Sequence, residues 1–273
     1  MNLIDTHCHI QSIGLTKGEV TTRSLWAKAP ELTAVSVIDQ AEGAGVKQMI
    51  CVGCDLEDSI LACDFVLGHG ACFASIGIHP HEADHYAGQV PKLRIFSELV
   101  NRPKVVAIGE CGLDYFYNHS SKKSQIAVLK FQIELALDAN LPIIFHVREA
   151  YGDFWPILES YNGVRGVLHS YSDSMENLGR AIKNNLYIGV NGIATFTNKP
   201  DQIAMYKAIP LNSLVLETDA PFLTPAPFRG SICQPKFVAQ TAEFLARLRD
   251  EEINTLADTT TINAKKLFKI DLG

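Results

Sequence analysis

The sequence has no apolar run near the roughly 18 residues a bilayer span requires. Its N-terminus shows no basic stretch followed by the apolar core of a secretory signal. Neither a membrane protein nor an exported one is expected, and the expected compartment is the cytoplasm. Basic charge is not in excess either: 24 Lys and Arg stand against 30 Asp and Glu, a net charge of −6. That excludes a broadly basic nucleic-acid-binding face but leaves room for a local anion site. A disulfide framework is also missing. Seven cysteines (Cys8, Cys51, Cys54, Cys63, Cys72, Cys111 and Cys233) are an odd number, scattered through 273 residues, as reduced thiols are. Cys51 and Cys54 form a CxxC with no second pair to complete a zinc site, so strand-end packing is the expected role. No internal repeat, low-complexity stretch or linker divides the chain. The expectation is one domain over residues 1–273.

What the chain does contain is alternation. Short apolar or β-branched runs occur at Asn2–Asp5, Gln48–Val52, Phe73–Ile78, Val105–Gly109, Ile143–Phe145, Val164–Leu168, Leu186–Val190 and Leu214–Leu216. Several are nearly all apolar, as strands buried on both faces must be. Helical spacing fills the intervals at Ser24–Ala44, Leu56–Leu67, Gln89–Asn101, Lys123–Asn140, Tyr151–Ser160, Asp173–Asn184 and Lys199–Ala208. Two terminal helices are expected at Lys236–Leu248 and Asp250–Lys266. Eight strands alternating with helices at this length predict an α/β fold, a single (β/α)8 TIM barrel. A doubly wound open sheet is the alternative, but no Gly-rich phosphate loop follows the first run.

Polar residues then fall at the strand ends. His7 and His9 follow the first strand, and with period-two alternation they point the same way. An HxH pair by itself can be solvated and inert. Here, however, Glu110 ends the fourth strand, His146 the fifth and His169 the sixth, and Asp219 lies just past the eighth. In a barrel these ends meet at the C-terminal face, where such enzymes place their chemistry. Buried together without metal, four imidazoles and two carboxylates would be a costly polar cluster. Six ligands exceed the needs of one tetrahedral zinc, so two divalent ions about 3.5–4 Å apart are expected, with Glu110 as the natural bridge.

Five segments carry a resemblance: Asp5–Thr–His–Cys–His9, Gly77–Ile–His–Pro–His81, Ile108–Gly–Glu–Cys–Gly–Leu–Asp114, Leu141–Pro–Ile–Ile–Phe–His–Val–Arg–Glu–Ala150 and Leu216–Glu–Thr–Asp–Ala–Pro221. In this order they resemble the signature segments of the TatD family, metal-dependent hydrolases of the amidohydrolase type associated with deoxyribonuclease activity. The resemblance runs over essentially the whole chain. It implies His7, His9, Glu110 and Asp219 around one ion and Glu110, His146 and His169 around the other, with Zn2+, Mg2+ and Mn2+ as candidates. Asp219 resembles the residue that handles the proton of the attacking water, a role that suits a carboxylate at the metal edge. Asp5 either orients a ligand imidazole or satisfies the backbone at the strand end.

Two ions less two carboxylates and a hydroxide leave the site about one unit positive, so phosphate is a sensible target. Arg148 and Arg229 are candidate phosphate contacts, since the guanidinium fork suits phosphate oxygens. The plainer roles are a surface pair for Arg148 and loop bracing for Arg229, which lies in the Pro-rich stretch Pro221–Arg229. His79 is a candidate substrate or leaving-group contact, and His81 a loop residue. One departure from the family stands out: Ser231–Ile–Cys–Gln–Pro235 replaces a segment that contains Asn in relatives.

The function implied is a deoxyribonuclease acting on DNA ends or single strands by metal-hydroxide attack. An ester or amide hydrolase, such as a D-aminoacyl-tRNA deacylase, is the alternative within enzymes, and a metal-stabilised binding scaffold the alternative outside them. No protein partner is indicated, and a monomer is the simplest expectation.

Overall fold

The computed structural model describes residues 1–15, 18 and 20–271. Its eight strands are β1 (Leu3–Cys8), β2 (Val46–Val52), β3 (Cys72–Ile76), β4 (Val105–Asp114), β5 (Ile143–Arg148), β6 (Gly166–Leu168), β7 (Tyr187–Val190) and β8 (Leu214–Leu216). Helices intervene: α1 (Val20–Trp26), α2 (Ala34–Gly43), α3 (Leu56–Leu67), α4 (Val90–Leu99), α5 (Lys122–Ala139), α6 (Tyr151–Leu158), α7 (Met175–Lys183) and α8 (Pro200–Ala208), with α9 (Val238–Arg249) and α10 (Ile253–Phe268) closing the chain. Strand order in the sheet follows chain order from β1 to β8. This is the (β/α)8 topology that the alternation predicts.

The chain forms two compact units, Met1–Ile50 with Ser170–Gly273, and Cys51–His169. In the first, β7 pairs with β8 in parallel, and Cys8 bridges Ala220 in the same sense. In the second, β3 to β6 pair in parallel order. The strands are buried on both faces, with Ile76, Ile108, Ile144 and Phe145 inaccessible to solvent. Phe145 meets Phe154 of α6 edge to face, centroids 5.2 Å apart. Each such side chain contributes roughly 1.5–3 kcal/mol by leaving water.

Two expectations need correction. The helix expected over Ser24–Ala44 is two helices. Pro30 disfavours helical backbone at the residue before it, and Thr33 starts α2 afresh, its hydroxyl accepting from Ser36 N at 3.1 Å while Ser36 Oγ accepts from Thr33 N at 3.0 Å. Strands β1, β4 and β5 also run further than their apolar runs. His7, Glu110 and His146 therefore sit inside strands, not at their ends.

Within β4 the register with β5 moves from Ile108–Ile143 to Cys111–Phe145, three residues against two. One extra residue on one strand is a bulge, which re-aims a side chain; here it falls at Gly109–Glu110. Beyond it Gly112, at φ 156°, passes so close to β5 that a Cβ would fall on the carbonyl oxygen of His146. Gly112→Ala is expected to lower stability by about 3 kcal/mol. That corresponds to a melting temperature lower by roughly 6 °C or more, readable by thermal denaturation.

Candidate active site

In the first unit, β1 delivers His7 and His9 to one side. Their Nε2 atoms are 3.2 Å apart, and Asp219 Oδ1 lies 3.6 Å from the first and 3.3 Å from the second. Asp219 is held by its own N–H on His7 O at 2.8 Å, and His9 N donates to Ala220 O at 2.8 Å. Its φ of 62° is a left-handed conformation that Asp tolerates better than most residues. Beneath this triangle Asp5 is fully buried and accepts from His7 N, Thr218 N and Thr218 Oγ1 at 3.2, 2.9 and 2.5 Å. Asp5 thus ties the backbones of the two segments that bear His7 and Asp219. Burial pushes its carboxyl up to about 8, against the pull of those hydrogen bonds.

The second unit gathers its own cluster. Glu110 Oε1 lies 2.8 Å from His146 Nδ1, 3.4 Å from His169 Nε2 and 3.7 Å from His79 Nε2. The other nitrogen of His146 is 2.9 Å from Asp114 Oδ2, which also meets His81 Nε2 at 3.1 Å. Asp114 Oδ1 accepts from the backbone of Phe116 and Tyr117, each at 3.0 Å. Burial alone would raise the Asp114 carboxyl, but the His146 and His81 hydrogen bonds win and hold it far below the carboxylate range. That depression stabilises the fold at pH values above the ordinary 3.8 and is lost as pH falls through the folded value. Burial opposes charge on His146 too, yet hydrogen bonds to Asp114 and Glu110 outweigh it and raise its pKa.

His79 is different. Burial, then the neighbouring His146 and His81, hold its pKa well below the usual 6.5 despite the pull of Glu110. Its Nδ1 accepts from His81 N at 3.2 Å. A neutral imidazole accepting at Nδ1 carries its proton on Nε2, so Nε2 offers a donor toward Glu110, not a lone pair for a cation.

The donor sets fit divalent ions. Bonds of 2.0–2.1 Å in a tetrahedral site place neighbouring ligand atoms about 3.3 Å apart, the spacing that His7, His9 and Asp219 show. Around Glu110, an ion taking the place of the His146 Nδ1–Glu110 contact would find Nε2 already engaged by Asp114, the outer-sphere carboxylate–imidazole arrangement common at metal ligands.

Of the residues singled out in the sequence, the structure therefore brings together His7, His9 and Asp219 in one unit, and Glu110, His146, His169 and His79 in the other. Arg148, the last residue of β5, stacks on Phe116 and Tyr117 with its guanidinium carbon 4.1 and 4.7 Å from the ring centres. Arg229 stacks on Phe196 at 3.6 Å. Cys233 is buried, and its backbone N–H holds Pro221 O at 3.1 Å; burial pushes its thiol up. All seven cysteines are buried and free of disulfides. Two residues escaped the sequence reading, Asp114 and Thr218. Each sits inside a quoted motif, which was the available signal.

Imidazoles and carboxylates clustered on the strands of a (β/α)8 fold define a metal-dependent hydrolase. The family model of TatD-related DNases matches residues 4–269, and the chain belongs to that family. It is 36% identical to a Bacillus subtilis protein named as the uncharacterized metal-dependent hydrolase YabD, over 98% of this chain and 100% of that one. It is 31% identical to the 3'-5' ssDNA/RNA exonuclease TatD of Erwinia tasmaniensis, over 86% and 93% of the two chains. The crystal structure of YjjV, a TatD homologue of Escherichia coli, superposes with a TM-score of 0.85 at 26% identity, covering 98% of each chain.

Asp114→Asn keeps the shape but surrenders the charge that orients His146. Metal affinity at the Glu110 cluster is expected to fall about 10–100-fold, measured by titration calorimetry with Zn2+ or Mn2+ on the metal-free protein. Unchanged affinity would remove Asp114 from the metal's support.

Proposed function

We propose that this protein is a divalent-metal-dependent phosphodiesterase that shortens DNA from an end, with single strands as its preferred form. Each cluster holds one ion, and both ions are required for turnover. The observation that carries the reading is the triangle of His7, His9 and Asp219, whose edges match a metal's ligand shell and whose third member is a carboxylate able to take a proton. The exonuclease name of the Erwinia relative supports the substrate class.

When bound, the ions supply a more acidic water and offset phosphate charge. The chain's own residues do the rest. Asp219 accepts the proton of the attacking water and returns it to the leaving oxygen. His79, neutral and protonated at Nε2, donates to a phosphate oxygen or the leaving group. Arg148 and Arg229 grip phosphates. Among the described residues no helix is long and apolar enough to cross a membrane.

Chelation should abolish turnover, and Mg2+, Mn2+ or Zn2+ should restore it to different degrees. Glu110→Ala should lower bound metal measured by elemental analysis; two full equivalents in that variant would overturn the assignment of Glu110 as a ligand. Asp219→Asn should retain substrate binding while kcat falls roughly 10²–10⁴-fold or more; near-parental kcat would move the proton-handling role to His79. The substrate class is read by a screen of single-stranded DNA, duplex DNA, RNA and D-aminoacyl-tRNA with products resolved by length. Preference for the tRNA ester would replace the nuclease reading.

Salt dependence tests the grip. Two or three phosphate contacts on a single strand predict a slope of log K against log[salt] near −1.5 to −2, about −0.7 for each phosphate. Arg148→Ala and Arg229→Ala should each flatten it by about 0.7. Unchanged slopes in both would return the two arginines to bracing roles.

A further inference from the structure

We infer that the rings of Phe116 and Tyr117, beside the Arg148 guanidinium, form a stacking platform for one base of a single-stranded polynucleotide. The inference rests on the phosphodiesterase reading above and adds to it the subsite that holds the strand.

Phe145, Phe154 and Trp155 of this unit are buried and its other large rings are buried or partly buried, whereas Phe116 and Tyr117 each leave 50% of their surface exposed. The two rings are adjacent and perpendicular, with centroids 4.8 Å apart, so their faces look in different directions. His119 lies nearly parallel to Tyr117 at 5.8 Å and extends the aromatic surface. Half-exposed rings add little to a monomer's core, and every nucleobase has a π face that such rings accept whatever its identity.

Position ties the platform to the candidate site. Phe116 N and Tyr117 N both donate to Asp114 Oδ1, and the same carboxylate's Oδ2 contacts His146. Tyr115 N donates to Arg148 O at 3.0 Å. The backbone that bears the rings is thus tied, through Asp114, to a proposed metal ligand. Charge completes the argument. Among the described residues Arg148 forms no ion pair and spends its guanidinium on the two ring faces. An exposed ring face beside a cation matches a base beside its phosphate.

The obvious competitor is a structural brace, in which the rings merely position Arg148. A cycle separates the two. Steady-state kinetics are measured on the metal-loaded full chain with an intact oligothymidylate and with strands lacking one base at each of the three nucleotides nearest either end. Phe116→Ala and Tyr117→Ala should raise KM for the intact strand about tenfold with kcat within about twofold, and Phe116→Trp should keep the parental KM. On one abasic strand the parent should show a KM raised to the same extent, and the alanine substitutions should add no further loss. Unchanged KM in both alanine variants overturns the platform. So does a penalty that multiplies undiminished on every abasic strand, or a loss confined to kcat. In each of those cases the parent still degrades single strands and the phosphodiesterase reading stands. A parent inactive on every strand but active on another ester removes that reading, and the platform with it.

Discussion

A carboxylate cut off from water is tolerable only where donors fill its lone pairs, and Asp114 meets that condition with four. Two imidazoles share Oδ2 and two backbone N–H groups share Oδ1. Gln125 reinforces the position, accepting from Asp114 N at 2.8 Å and donating to Asp114 O at 3.0 Å. The consequences spread outward. His146 is held between Asp114 and Glu110, His81 packs against His79, and the chain after β4 is turned so that Phe116 and Tyr117 meet Arg148. Weakening this carboxylate would loosen His146 and the turn that carries Phe116 and Tyr117 together.

The first unit solves the same problem with fewer donors. Asp5 fills its lone pairs from one hydroxyl and two backbone N–H groups, and none of these donors is cationic. The contrast in ionisation follows directly: burial dominates for Asp5 and raises its carboxyl, whereas charge-assisted bonds from imidazoles dominate for Asp114 and lower it. Asp5 therefore serves as an anchor for backbone, and Asp114 as a source of negative charge for a ring. Both position other groups; in the proposed mechanism Asp219 handles the proton and Glu110 is a metal ligand.

Alternation of apolar runs and helical spacing was enough to read the (β/α)8 topology, because strands buried on both faces have few compositions open to them. The imidazoles and carboxylates were legible for a related reason: groups so costly to bury stand out against apolar strands. What stayed hidden depends on geometry that spacing does not encode. The bulge at Gly109–Glu110 leaves no mark in the apolar pattern, yet it decides where Glu110 points. Asp114 resembles an ordinary residue at the end of a strand, and only the fold reveals that, paired with Arg148 in register, its side chain reaches back to His146 on the neighbouring strand. Strand ends were drawn short because polar ligands interrupt the apolar runs while the backbone ladder continues through them. The merged helix before residue 44 failed on a local signal, Pro30 followed by a Thr33 cap, that the longer periodicity obscured.

An acidic chain proposed to act on a polyanion needs some cations that its own carboxylates do not neutralise, and the surroundings of Arg148 show how one is kept. Asp114, one residue before Tyr115, is saturated by its four donors. Asp153, on α6, accepts the Tyr115 hydroxyl at 2.8 Å. With these acids engaged, the Arg148 guanidinium settles on aromatic faces, where the attraction is weak compared with a desolvated ion pair and the N–H donors keep their capacity for an external oxygen. On the proposed function, a net charge of −6 would work in favour of selectivity: a chain of that charge repels a nucleic acid overall, and attraction would come from the ions when bound and from local cations such as Arg148. Such a field would favour contact at an end over clamping along a duplex, in keeping with the proposed mode of action.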